Sequence, residues 1–273
     1  MALDSRDKLI TAVAGGSLVP IYKSSLANQA AGYITALWKA TGTYLWGAGS
    51  NPTTFAVCDD TLTGGISLPS FSTSKGYILK FTPIGATINT WMIHDRLGHM
   101  GGLDATATGQ QTLGPMTLTT ASGNGRCASD GSDVEWFAEM YTDIGTSAQT
   151  CTITYTDQTD TSRTCTISLG GTSPLNRASR CVQIIPNAGQ TIKSLVYSQL
   201  GGSTGTAGNY GFTARKKLCA IGQYVANIAP PGCDAVSLGI PEIKETSCLE
   251  LLCLCSTTST GILYGDMKWG LVA

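Results

Sequence analysis

The clearest pattern along the chain is the alternation of apolar and polar residues in short runs from about residue 43 onward. In residues 151–156, with the sequence CTITYT, the Cys, Ile and Tyr side chains share one face and three threonines share the other. Residues 164–169, with the sequence TCTISL, repeat the pattern after a polar loop. Because successive side chains of a strand point to opposite faces, this segment predicts a β-hairpin with one buried face.

Further runs of this kind lie between clusters of Gly, Asn, Pro, Ser and Thr, which are typical of turns. They predict strands at 76–83, 88–95, 116–120, 133–141, 181–185, 191–200, 209–220, 248–256 and 261–269. We expect the first two of these strands to be neighbours, the strand at 181–185 to pair with its successor, and the last two to form a terminal hairpin. Roughly eight to ten strands at this spacing predict a mainly β fold, an antiparallel β-sandwich or jelly-roll-like domain.

The first 42 residues have a different pattern, which indicates a short α-helical N-terminal arm. Asp4 or Ser5 can cap a first helix that a Gly-Gly pair ends, and Ser24 or Ser25 can cap a second helix whose apolar residues fall at helical spacing. Two short amphipathic helices cannot bury their apolar faces alone, so the arm should pack on the main domain or on another subunit. The sequence therefore predicts a helical arm at 1–42 and a β-sandwich domain at 43–273.

The composition points to a surface that meets other subunits. Charged residues make up 13% of the chain, about half the usual share, while 42% of residues are hydrophobic. So few charges protect a surface poorly against association, which favours coverage by neighbouring subunits over an ordinary Thr-rich β protein. The net charge of −1 gives no basic surface for nucleic acid, and no apolar run is long enough to span a membrane.

Ten cysteines accompany a charged N-terminus from which we expect no secretory signal. Cysteine-rich chains usually belong to oxidising compartments. The cysteines could bind metal, remain buried thiols, or become oxidised after the protein leaves the cell, and we favour the last. Candidates for interchain disulfides are Cys58, Cys127, Cys233, Cys253 and Cys255. Candidates for intrachain disulfides or buried thiols are Cys151, Cys165, Cys181, Cys219 and Cys248.

Neither a metal site nor a catalytic site is predicted. The C-terminal cysteines lack the C-x2-C spacing of structural zinc sites. Cys253 and Cys255 should lie about 7 Å apart along one strand face, which disfavours a bond between them. His94 and His99 lie in what we interpret as a strand end turning into a loop, outside any G-x-S-x-G or H-E-x-x-H motif, and are interpreted as structural. We expect no enzyme activity and no cofactor.

Several segments resemble virion structural proteins of tailed bacteriophages. They are MALDSRDKLI at 1–10, LWKA at 37–40, HDRLGHMGGL at 94–103, VEWF at 134–137, GTAGN at 205–209 and CSTTSTG at 255–261. The resemblance implies a particle component without catalytic residues. The cysteine content is similar to that of phages whose parts are cross-linked by disulfides.

We therefore predict a minor capsid or decoration protein that stabilises a phage head through subunit contacts and disulfides. Its partners would be itself, as a trimer or other homo-oligomer, and other virion proteins such as the major capsid protein, without direct nucleic-acid or membrane contact. Its location would be the virion, assembled in the host cytoplasm and released by lysis. The alternatives are a neck, collar or tail component, an enzyme using His94 or His99, and a receptor-binding module with Tyr33, Tyr44, Trp46 and Trp91 as a sugar-binding surface.

Overall fold

The computed structural model describes residues 3–42, 47–66, 68, 71 and 75–272, and it confirms a mainly β, antiparallel fold with a short N-terminal helix. The helices are α1 (Arg6–Gly15) and α2 (Thr119–Gly123). The strands are β1 (Ser17–Lys23), β2 (Ile34–Ala36), β3 (Ala56–Val57), β4 (Lys75–Gly85), β5 (Thr90–Leu103), β6 (Gln111–Thr117), β7 (Glu135–Met140), β8 (Gln149–Asp157), β9 (Ser162–Leu169), β10 (Arg180–Ile184), β11 (Ile192–Leu200), β12 (Tyr210–Gly222), β13 (Glu242–Ile243), β14 (Leu249–Leu254) and β15 (Leu263–Val272). No helix in these ranges is long and apolar enough to cross a membrane.

Six strands at the centre pair in a closed circle, which we call the strand ring. Their order is β12, β7, β10, β2, β14 and β5, and β5 pairs again with β12. All of these pairings are antiparallel. Since every strand of the ring has a neighbour on both sides, its backbone hydrogen-bonding groups are largely satisfied within the ring.

Two four-stranded sheets flank the strand ring, and each packs on a different part of it. The β8 sheet has the order β6-β11-β8-β9, and its core joins side chains such as Ile153 and Leu195 to Trp136 and Phe212 of the ring. The β15 sheet has the order β1-β15-β4-β13, and its core joins Phe81 to ring side chains of β5 and β14. Each flanking sheet therefore shares an apolar core with the strand ring.

The hairpin predicted at 151–169 is confirmed, with Ile153 opposite Cys165 in the register of β8 and β9. Most other predicted strands also form, but three predicted pairings are wrong. The strand β4 pairs with β15 instead of β5, β10 and β11 belong to different sheets, and so do β14 and β15. Strands adjacent in the sequence were predicted to pair, but they often do not, because strands of the ring alternate along the chain with strands of the flanking sheets.

The N-terminal segment follows the prediction for its first half alone. Ser5 caps α1 by accepting a hydrogen bond from the backbone N–H of Lys8, and α1 packs on β15 through the buried Ala12. The second helix is wrong, because β1 pairs with β15, and β2 lies between β10 and β14. Asn28 and Gly32 both have left-handed φ angles, which break a helix between them. The division of the chain at residue 42 stays a prediction.

Candidate functional site

The interior of the strand ring holds charged side chains from four different strands. Arg96 of β5, Glu139 of β7, Arg215 of β12 and Glu250 of β14 are all fully buried. On β7 the alternation explains this placement. Phe137 and Glu139 face inward, while the core of the β8 sheet contains the alternate residues Trp136, Ala138 and Met140. We call these four residues the ionic quartet.

Each member of the ionic quartet contacts both residues of opposite charge, and the four formal charges cancel. Arg96 Nη1 lies 2.8 Å from Glu250 Oε1 and 3.1 Å from Glu139 Oε2. Arg215 Nε lies 2.8 Å from Glu250 Oε2, and Arg215 Nη2 lies 2.5 Å from Glu139 Oε2. Each guanidinium therefore bridges both carboxylates. Because all four side chains are shielded from water, removal of one would leave an uncompensated buried charge.

Polar and aromatic groups surround the ionic quartet. The Arg96 guanidinium lies 4.3 Å from the ring centroid of Trp38, and its Nη2 donates to the Tyr141 hydroxyl at 3.1 Å. The Thr213 hydroxyl donates to Glu139 at 2.7 Å. Burial alone would raise the pKa of Glu250, but Arg215 and Arg96 lower it to about 2. Glu250 is therefore a stable carboxylate.

Both histidines are buried inside this region, in agreement with a structural role. The expectation that they lie at a strand end is wrong, since β5 runs from Thr90 to Leu103. His99 Nδ1 accepts a hydrogen bond from Arg96 Nε at 3.2 Å, and burial together with the Arg96 charge lowers the pKa of His99 to about 3. His94 Nε2 lies 3.1 Å from Glu135, and burial lowers the pKa of His94 below its ordinary value.

A second buried ion pair joins β5 to the segment after α2. Arg126 Nε donates to Asp95 Oδ2 at 3.0 Å, and Arg126 Nη1 donates to the carbonyl of Cys58. The Ser247 hydroxyl and the backbone N–H of Cys248 also donate to Asp95, both at 2.9 Å. This pair therefore fixes three separate chain segments to the strand ring.

All ten cysteines are free thiols, nine of them buried and Cys233 half-buried. Four of the candidates for interchain bonds are therefore not at the surface, namely Cys58, Cys127, Cys253 and Cys255. Burial raises the pKa of Cys58 to about 12 and that of Cys127 to about 11. The thiols of Cys58 and Cys127 therefore stay protonated and react slowly.

The five cysteines predicted as intrachain or buried residues are buried thiols, at positions Cys151, Cys165, Cys181, Cys219 and Cys248. The pairing of any cysteine in the assembled protein stays a prediction. Within the part of the chain that the structure describes, no group of three or more His, Cys, Asp or Glu residues has the arrangement of a metal site.

Of the four aromatic residues proposed for sugar binding, the structure describes Tyr33 and Trp91, and these two do not share a surface. Trp91 is fully buried and donates its indole N–H to Gln223 at 2.9 Å. Tyr33 stacks on the guanidinium of Arg180, which lies 3.5 Å from its ring centroid. Tyr44 and Trp46 fall outside the described residues.

Sequence reasoning missed an exposed apolar groove between α1 and the segment after β12. The groove has a volume of about 650 Å³, and Lys80, Asp234 and Lys268 line it together with apolar residues. We call five of the latter the apolar patch, namely Leu9, Val13, Pro230, Cys233 and Val236. Val236 is 69% exposed and Val13 39%. Tyr224, Val225 and Ile228, which precede this segment in the sequence, are exposed but do not line the groove. The sequence signal for this groove was an apolar stretch around Pro230-Pro231-Gly232 in which apolar and polar residues do not alternate.

Comparisons with known proteins give little further information. No family model matches the chain, and no curated protein matches it. A structure of infectious bursal disease virus, Gx strain, is 12% identical over 94% of this chain and 81% of that chain, with a TM-score of 0.23. The VP2 subviral particle of the same virus is 9% identical over 96% and 82%, with a TM-score of 0.21. Likeness at this level supports no conclusion about this chain.

Proposed function

We propose that this protein is a structural, non-catalytic component of a tailed-phage particle, a minor capsid or decoration protein that stabilises the head. The observation that carries the proposal is the apolar patch on a chain with few charged residues. Exposed apolar patches rimmed by polar residues mark interaction sites in many proteins, and Lys80, Asp234 and Lys268 line the same groove. We assign the patch to contacts with neighbouring subunits, either further copies of this chain or the major capsid protein.

The interior of the molecule supports this role. The ionic quartet is sealed from solvent, so its charges serve to fix the arrangement of strands instead of meeting a substrate. Buried ionic groups are known in some proteins to specify one packing arrangement. A ring of strands fixed in this way is a rigid unit, which suits a protein that resists outward pressure in a shell.

Cys233 supports a covalent cross-link at the apolar patch. It is half-buried, lies in the apolar patch, and has its Sγ 2.9 Å from the carbonyl oxygen of Pro230. A neighbouring subunit that covers the patch would approach this thiol. Oxidation after release from the host would then link the two chains at this position.

Quantitative mass spectrometry of purified particles tests the proposal. A decoration protein should be present in hundreds of copies per particle, and a neck, collar or tail component in tens at most. Absence from the particles would refute the virion role. Electrophoresis of the same particles with and without reductant should show cross-linked bands that depend on Cys233, and loss of these bands should follow Cys233→Ser.

A pair of charge substitutions tests the apolar patch directly. Val13→Lys and Val236→Lys together should abolish incorporation into particles without lowering the thermal stability of the free protein. The matched control is Ile185→Lys, because Ile185 is 64% exposed and lies outside the patch. Equal incorporation of both variants would show that the patch is not the contact surface.

A further inference from the structure

Two thiols contact each other at the end of β14. The Sγ atoms of Cys253 and Cys255 lie 3.7 Å apart, and both side chains are buried. The expected separation of about 7 Å is wrong, because the regular strand β14 ends at Leu254, between the two cysteines. The two side chains therefore converge instead of projecting in parallel.

The surrounding backbone holds this pair in place. Cys253 lies opposite Thr35 in the register of β14 and β2. The backbone N–H of Cys255 donates to the carbonyl of Tyr33 at 3.0 Å, and the N–H of Gly32 donates to the carbonyl of Cys255 at 2.8 Å. The contact between the sulfur atoms is thus a consequence of β pairing on both sides of it.

A buried cation acts on the same pair. Arg180 is 7% exposed, and its Nε and Nη1 have no hydrogen-bond partner among the described residues. The pKa of Cys255 is lowered to about 7, mainly by its hydrogen bond with Cys253. The hydrogen bond with Thr35 and the positive charge of Arg180 contribute less. Burial raises the pKa of Cys253 well above its ordinary value. The pair therefore combines a nucleophilic thiolate with a protonated thiol.

We propose that Cys253 and Cys255 are an oxidation site, a dithiol that a hydroperoxide converts to an intrachain disulfide. The Cys255 thiolate attacks one peroxide oxygen, which forms an S–O bond, breaks the O–O bond and releases hydroxide. The Cys253 sulfur then attacks the Cys255 sulfur, which forms the S–S bond and expels the oxygen as water with the proton of Cys253. Once the hydroxide is protonated, two thiol groups and one hydrogen peroxide have become one disulfide and two waters.

The geometry permits the bond. The Cα atoms of residues two apart lie at most roughly 6.6 Å apart on an extended chain, and closer where the strand ends between them, which is within the range that disulfides accept. The sulfur atoms need to approach by roughly 1.7 Å, from contact to bonding distance. Rotation about side-chain bonds supplies most of such a movement.

Peptide mapping of the folded, reduced full-length protein tests the proposal. The protein is treated with equimolar hydrogen peroxide near neutral pH, its remaining thiols are alkylated, and it is digested with trypsin. The peptide 245–268 should lose two hydrogen atoms while Cys248, in the same peptide, carries the alkyl group. Alkylation of both Cys253 and Cys255, or a disulfide from either to another cysteine, would overturn the proposal.

Variants separate the roles of the two sulfur atoms. In Cys253→Ser, Cys255 should accumulate as a sulfenic acid that dimedone traps, whereas Cys255→Ser should leave Cys253 unreactive. The matched control is Cys233→Ser, which removes the half-buried thiol and should leave the yield of disulfide unchanged. Arg180→Gln should slow the reaction several-fold and move its pH profile upward, and Arg180→Lys should not. A reversed order of reactivity of the two cysteines would contradict the assignment. The peptide map of the unsubstituted protein tests the disulfide itself, even if a variant fails to fold.

Discussion

The interior of the strand ring and the core under the β8 sheet are buried to the same degree, but the first contains charged side chains and the second mainly apolar ones. The ring encloses two guanidinium groups, two carboxylates and two neutral histidines. The flanking core contains apolar side chains and the thiols of Cys151 and Cys165. Apolar packing is non-directional and tolerates small changes of shape, whereas a bridged ion pair requires each partner at a defined position. The ring should therefore fix the arrangement of strands, and the flanking cores should supply most of the hydrophobic stabilisation.

The largest expected effect comes from Glu250→Gln, which keeps the shape of the side chain but removes its charge. Arg96 and Arg215 would then share Glu139 alone, which leaves one buried positive charge uncompensated. Breaking a buried pair in this way costs about 3–5 kcal/mol. Urea unfolding of the variant measures this loss in the free energy of unfolding. A loss below about 1 kcal/mol would show that the ring interior is as tolerant as the flanking cores.

Acid should weaken the ring before it affects the flanking cores. The pKa of His99 is about 3 in the folded protein and 6.5 as the ordinary value, so the unfolded chain binds more protons between these limits. Stability is therefore full above pH 6.5 and falls as the pH drops toward 3. Glu250 adds a further loss between its ordinary value of 4.5 and about 2, with the same sign.

The substitution His99→Gln isolates the contribution of the histidine. A glutamine amide oxygen can accept the hydrogen bond from Arg96 Nε but does not titrate. Stability measured by urea unfolding from pH 7 to pH 4 should fall less steeply in this variant than in the parent protein. An identical slope would mean that His99 is not the group that links stability to pH.

The same contrast explains how much the sequence could predict. The β8–β9 hairpin has one buried face, so its period of two is visible in residues 151–169, and the prediction is confirmed. In β5 nearly every side chain is buried, and Arg96 pairs inside the ring with carboxylates of β7 and β14. A charged run on one strand does not indicate that its partners lie on other strands. From the sequence, this run is therefore interpreted as a strand end that turns into a loop. The contact of Cys253 with Cys255 was missed because strand periodicity does not indicate where a strand ends.

A smaller effect is expected from Ile153→Val in the core of the β8 sheet. Ile153 is fully buried, and the change removes one methylene group without introducing a polar atom. Substitutions of this kind typically cost about 0.5–1.5 kcal/mol. The pH dependence of unfolding should remain that of the parent protein, since no titrating group of the ring is touched. A change in that dependence would show that the core and the ring are coupled.

The smallest effect is expected at an ion pair on the surface, which makes the comparison with the ring sharpest. Lys193 Nζ lies 2.5 Å from Asp160 Oδ1, the same distance that separates Arg215 Nη2 from Glu139 Oε2. The Asp160 side chain is 75% exposed, whereas both members of the ring pair are fully buried. Exposed pairs contribute about 0–1 kcal/mol because water and salt screen them. Asp160→Asn should therefore change the free energy of unfolding by less than about 1 kcal/mol, and added salt should reduce the difference further. If Asp160→Asn proved as costly as Glu250→Gln, burial would not be what distinguishes the ionic quartet from the surface charges.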